Sequence, residues 1–253
     1  MAKGKNKQVS KKGKAAKKGD RHPFTKKSWF KVMAPPALKD AKQVGWTICK
    51  KPTGTQVVSD FLKARVAEIS LADITDSGKD VVKKIKIQLD DISGESCFTS
   101  FYEYELAREK IAAMLKKRQT LIEVVAEVKS REGVIFRAFA IAVTSRRPGQ
   151  QKINSYAQSS KIQLFRKKVA AELQKLAAEK SANDFIYEVI NDTLGAKLET
   201  LGNKVIPGTK LIITKLKISK KNTTEIRNDV NVEAAPISSE KKVAEHSAAK
   251  TAL

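Results

Sequence analysis

Histidine is nearly absent: the 253 residues contain two, His22 and His246. Each falls in a stretch that reads as unfolded, so the folded body has no imidazole to activate a serine or a cysteine. Cysteine is as scarce. Cys49 and Cys97 are too few for a disulfide framework, suit a reducing compartment, and read as core fillers beside β-branched and aromatic neighbours. No CxxC or HxxxH occurs to hold zinc, and no GxxxxGK[ST] phosphate loop is present; "KPTGT" (51–55) reads as a turn. The adjacent pair Asp90 and Asp91 reads as a solvated strand end rather than a metal site. The longest strongly apolar stretch, "VIFRAFAIAV" (134–143), is too short to span a bilayer and is broken by Arg137. These absences argue against an enzyme, a cofactor, a metal and a membrane span.

Acid is missing too, at one end. Residues 1–31 carry eleven Lys, one Arg and one Asp, a net +11 of the whole chain's +23. Such a segment repels itself and has little to bury, so alone it is expected to be disordered. No apolar run follows it as in a secretory signal, and the excess of Lys over Arg is unlike a mitochondrial presequence. The chain therefore reads as cytosolic or nuclear. Residues 221–253 are neutral, with five bases and five acids, which leaves 32–220 with 33 bases against 21 acids. The body is basic as well as the arm, and the partner implied is a polyanion, nucleic acid before an anionic membrane. No amphipathic helix joins a large apolar face to the arm, so a membrane surface ranks last.

Periodicity defines the body. "KKIKIQLDD" (83–91) alternates Ile85, Ile87 and Leu89 with polar residues, as a half-buried strand does. "LIEVVAEVKS" (121–130), a short "SREG" link and the apolar 134–143 predict a β-hairpin over 121–144, its second strand deep in a sheet. Residues 64–74 and 210–219 are further strand candidates, and 45–50 and 96–103 weaker ones. Helices are expected over 105–118, over 161–180 with a stripe of Ile162, Phe165, Val169, Leu173 and Leu176, and over 183–202 with a break near Gly195. This order predicts an α+β fold: a mostly antiparallel β-sheet or partial β-barrel with flanking helices. The expected organisation is a disordered basic arm (1–21), a single body (22–220) and a disordered C-terminal tail (221–253).

Basic clusters are the recurring motif. In the arm they are Lys3, Lys5, Lys7, Lys11, Lys12, Lys14, Lys17, Lys18 and Arg21, followed by Lys26, Lys27 and the aromatic Trp29. In the body they are Lys116, Lys117 and Arg118, then Arg146 and Arg147, then Arg166, Lys167 and Lys168. The loop "RRPGQQKINSYAQSSK" (146–161) has four bases and no acid. It adds Lys152, Tyr156 and Gln158, residue types that contact phosphates and 2′-hydroxyls or stack on exposed bases. A single basic triplet is usually a solvated face; together with the arm and a basic body, these clusters point to RNA binding without a sequence preference.

Longer strings carry a resemblance. "GKNK…KKGKAAKKG" followed by "HPFTKKSWFKVMAP" (22–35), "LKARVAEISLAD" (62–73), "REKIAAMLKKRQTLIE" (108–123) and "NSYAQSSKIQLFRKK" (154–168) resemble, in order, the archaeal–eukaryotic small-subunit ribosomal protein family S-three-a, also called S-one-e. The similarity spans roughly residues 3–220, is weaker over 98–118 and beyond Lys220, and suggests a eukaryotic member from a divergent lineage. It implies a structural constituent of the small ribosomal subunit, bound to small-subunit ribosomal RNA on the platform near the mRNA exit site. It further implies neighbouring small-subunit proteins, mRNA near the exit and initiation factor three as partners, and a cytoplasmic ribosomal location with nucleolar passage during assembly. The same basic surfaces allow an alternative, a free RNA-binding or ribosome-assembly factor that does not stay on mature ribosomes.

Overall fold

Alternating stretches become strands of one sheet in the computed structural model, which describes residues 22–39 and 42–221. The strands are β1 (Lys27–Met33), β2 (Gln43–Lys50), β3 (Val66–Ser70), β4 (Lys83–Ser93), β5 (Ser96–Leu106), β6 (Leu121–Lys129), β7 (Ile135–Thr144) and β8 (Thr209–Lys220). Their order is β2-β1-β5-β8-β7-β6, with β4 pairing β5 and, beyond it, β3. Every pair is antiparallel except β1 and β5, which meet in parallel at Lys31↔Ser96 and Val32↔Cys97. The fold is α+β with an open sheet; the partial-barrel alternative is not realised. At about 3.4 Å per residue β5 is long enough to hold two partners end to end. Its start pairs β1 and its Glu103–Glu105 stretch pairs β8, while β4 follows its other edge.

The 121–144 hairpin forms with the predicted facing. Ile122, Val124, Ala126 and Val128 are buried from β6, and Phe136, Ala138, Ala140 and Ala142 from β7, which lies between β6 and β8. Three helices cover this face: α4 (Ser159–Glu179), α5 (Ala182–Ile190) and α6 (Thr193–Asn203). Small alanines on the strands leave room for large side chains from the helices, as close packing requires. Phe165, Val169, Leu173 and Ala177 of α4 are buried, and Phe185 of α5 meets Phe136 with ring centroids 5.6 Å apart. The Phe165 ring lies on Gly202 of α6, where a Cβ would come within 2.5 Å of it. β6 is an edge strand, and α4 covers that edge: Arg166 Nε and Gln174 Nε2 donate to the carbonyls of Glu123 and Glu127 at 3.0 and 3.2 Å. A second, smaller core gathers Phe30, Leu62, Leu89 and both cysteines, which are buried and free. Leu62 ends the short helix α1 (Val58–Leu62), and α2 (Ala72–Thr75) follows β3.

Four expectations need correction. The helix predicted over 105–118 is only α3 (Arg108–Met114); Leu106 ends β5 in the core, and Lys116–Arg118 lie in a turn beyond the helix. The break in 183–202 falls at Asp192, whose φ of 59° separates α5 from α6, while Gly195 sits inside α6. An aspartate tolerates this left-handed geometry better than most residues. Asp90 and Asp91 lie within β4 at a register shift rather than at a strand end. β1 forms over Lys27–Met33, within the expected body but where the lysine-rich sequence predicts no strand. The expected disorder of the arm and the tail concerns positions outside the described residues.

Candidate nucleic-acid interface

Two basic clusters distant in sequence are stitched together at one end of the β6–β7 hairpin. After α3 the chain turns at Arg118, with φ 66°, and Gln119 forms an isolated parallel bridge to Ser155. After β7 the loop turns at Pro148–Gly149 and comes back to meet it. Ser155 donates from N and Oγ to the Arg118 carbonyl at 3.0 and 3.2 Å. The buried Thr144 hydroxyl donates to the Ser155 carbonyl at 2.6 Å and accepts from Thr120 N at 2.9 Å. Ala157 N donates to Thr120 Oγ1 at 3.1 Å. Gln150 braces the loop, its amide donating to the carbonyls of Lys152 and Asn154 at 2.8 Å each while its own carbonyl accepts from Arg146 Nε at 3.0 Å.

Between the two segments lies a shallow cavity of about 370 Å³, lined by Lys116, Lys117, Arg118, Gln119, Arg146, Ile153 and Ser155. Four cations line it and no carboxylate does. Arg147, Lys152, Tyr156 and Gln158 are exposed on the same loop, Tyr156 at 65%, so its ring is not a core edge. Gln158 precedes helix α4 as its N-cap residue and makes no side-chain cap, and the first turn has no acid. Its unsatisfied N–H groups and positive dipole end add to the attraction for an anion. Further along α4, Arg166, Lys167 and Lys168 are exposed, Arg166 with its Nε committed to the β6 edge. Lys161, Lys168 and Lys175 recur every seven residues and so share one exposed face. The spacing alone could have added Lys161 and Lys175 to the candidates.

Lys26, Lys27 and Trp29 are exposed but elsewhere. β1 is four strand steps from β6, roughly 19 Å across the sheet. Lys3, Lys5, Lys7, Lys11, Lys12, Lys14, Lys17, Lys18 and Arg21 lie outside the described residues. Not every basic residue contributes to a cationic surface. On β4, β5 and β8 lysines are matched by acids: Lys86 lies 3.3 and 3.2 Å from Glu103 and Glu105, Lys215 lies 2.6 Å from Glu103, and Lys84 lies 2.9 Å from Glu68 of β3.

A second cavity, about 350 Å³, contains Asp80 and Asp192, but Lys83 occupies the place a metal would take. Its ammonium lies 3.1 Å from Asp80 and 2.8 Å from Asp192 and donates to the Ile190 carbonyl at 2.6 Å. Burial, then the charges of Asp192 and Asp80, push the neighbouring Tyr104 phenol well above its ordinary range. Among the described residues no group of three or more His, Cys, Asp or Glu side chains could hold a metal ion, and no helix is long and apolar enough to cross a membrane.

The open sheet thus carries a cavity lined by four cations and no carboxylate. Comparison with known proteins gives the family. Residues 15–222 match the model of the Ribosomal S3Ae family. Curated relatives named small ribosomal subunit protein eS1 include one from Theileria annulata, 36% identical over 87% of this chain and 84% of its own length. Another from Theileria parva is 35% identical over the same shares, and one from Babesia bovis is 34% identical over 92% of this chain and 90% of its own. The chain belongs to the Ribosomal S3Ae family of small-subunit ribosomal proteins. It is a structural component of the translation machinery and not an enzyme.

Proposed function

We propose that the chain is a resident structural constituent of the small ribosomal subunit and binds small-subunit ribosomal RNA on the platform, near the mRNA exit site. The observation that carries this reading is the acid-free cavity between Arg118 and Ser155, where four cations converge beside the uncapped start of α4. Like charges lining one cavity repel one another, and a phosphate backbone relieves that repulsion while releasing its own counterions. The arm lysines from Lys3 to Lys18, with Arg21, extend the phosphate contacts beyond the body, and residues 221–253 are a separate tail. Neighbouring small-subunit proteins pack against the same body. mRNA leaving the subunit and initiation factor three approach from the exit side. The protein acts in the cytoplasm, on ribosomes, after passing through the nucleolus during assembly.

The test is the salt dependence of binding to a small-subunit RNA fragment. Replacing Lys116, Lys117 and Arg118 by Ala should lower the slope of log affinity against log salt by about 2–3, close to one unit per lost phosphate contact. An unchanged slope would remove this cavity from the RNA interface.

A further inference from the structure

We propose that the outer face of the β1–β2 hairpin is a stacking platform for unpaired RNA bases. The inference deepens the proposed RNA-binding function and rests on it. The register Lys27↔Lys50, Trp29↔Ile48 and Lys31↔Trp46 places these six residues on one face, while Phe30, Val32 and Cys49 turn inward and are buried. Trp and Phe side chains are on average largely buried, yet Trp29 is 50% exposed, Trp46 54% and Phe24 46%. The rings are held in place. Phe24 stacks on Trp29 with centroids 6.3 Å apart and planes 17° from parallel. Lys27 Nζ lies 5.0 Å from the Phe24 centroid and Lys31 Nζ 5.7 Å from that of Trp46.

Charge decides between an RNA and a protein as occupant. Residues 22–56 contain seven lysines and one acid, Asp40. A nucleotide in a strand carries one phosphate and one base on its ribose, and this face offers ammonium beside ring twice over. Each base has a π-face for the indole, so stacking of this kind tolerates any sequence. The acid-free cavity near Arg118 differs: it presents cations with Ile153 as its one apolar side chain and suits backbone phosphates. The face reads unpaired bases and the cavity holds the backbone.

The chain's two tryptophans both lie on this face, so its fluorescence excited at the red edge, where the four tyrosines do not absorb, reports on this face. Full-length chain is titrated at low salt with single-stranded oligoadenylate of about 12 nucleotides, and with an RNA duplex of equal length. The single strand should quench the tryptophans. Trp46→Ala should weaken single-strand binding about 10-fold, with duplex affinity and salt slope unchanged, and Trp46→Phe should keep most of it. Lys31→Ala should lower the single-strand slope by about 0.7. Single-strand binding without quenching, or unaffected by Trp46→Ala, overturns the platform and leaves the cavity as the RNA site. Equal loss of single strand and duplex in Trp46→Ala overturns it as well, because the ring would then be structural. A chain that binds neither RNA refutes the RNA-binding function itself, and the platform with it.

Discussion

Thr144→Val is the substitution that separates the shape of the cationic cavity from its charge. Thr144 is 2% exposed, and its hydroxyl joins three segments: it accepts from Thr120 N at 2.9 Å and donates to the Ser155 carbonyl at 2.6 Å. Valine keeps the branched shape and removes both bonds. Ser155 is then held to its surroundings by its own bonds to Arg118, but a part-buried amide and a part-buried carbonyl lose their partner. Leaving one such group unsatisfied costs about 1–3 kcal/mol, and partial access of water to the loop side places the total near 2 kcal/mol. Urea unfolding should register that loss at unchanged m-value. Because every lysine and arginine remains, RNA affinity should fall several-fold with the salt slope intact. A stability loss below about 0.5 kcal/mol would refute the role of this hydroxyl as a pin. A changed slope would show that shape and charge had not been separated.

Two further outcomes follow from the body. Gly202→Ala should destabilise by about 1–2 kcal/mol: overpacking against the Phe165 ring exceeds the gain of about 1 kcal/mol from better helix propensity, and thermal unfolding measures the balance. For Glu103, burial pushes the carboxyl pKa up, but the hydrogen bond and charge of Lys215 and the charge of Lys86 outweigh it and hold the pKa below the ordinary carboxylate value. A lowered folded pKa gives stability that is present above the unfolded value, about 4.3, and is lost as pH falls through the folded one. Glu103→Gln should therefore flatten the acid limb of urea stability below about pH 5, and an unchanged limb would assign that limb to other carboxylates.

Much of the body was legible in the sequence because its strongest elements obey simple periods. Residues 121–130 alternate, 134–143 form an apolar run, and the two fold as a hairpin; the α4 stripe buries Phe165, Val169 and Leu173 as its spacing predicts. The errors have local causes that no period reveals. In β5 the register slips next to Tyr102, so Glu103 and Tyr104 are both buried and the run to Leu106 no longer alternates. Leu106 also falls roughly on the helical face of Ile111, Met114 and Leu115, which extends the expected helix back to Glu105. Gly195 looked like a helix breaker, yet it lies inside α6, where an added Cβ would touch the Leu211 carbonyl at 4.0 Å. In β1 the inward set Ser28, Phe30 and Val32 is interleaved with Lys27, Trp29 and Lys31, and the lysine-rich sequence predicts no strand there.

The candidate site was legible in parts and not as a whole. Each basic cluster stands out by composition. That 116–118 meets 146–155 depends on the Gln119↔Ser155 bridge and on the Thr144 hydroxyl, which are long-range events. Trp46 escaped notice because β2 has weak alternation and its place beside Lys31 exists only through pairing with β1. Heptad spacing of Lys161, Lys168 and Lys175 was present in the sequence but hidden by the more conspicuous triplet 166–168.

Residence on the ribosome is tested most directly by sedimenting a cell lysate on a sucrose gradient, with and without a high-salt wash, and blotting for this chain. Co-migration with small subunits and polysomes that survives the wash is the predicted result, because phosphate contacts buried within an assembled particle are screened far less than exposed ones. Release by salt, or migration only with light particles, would contradict it and mark the chain as a free RNA-binding or assembly factor.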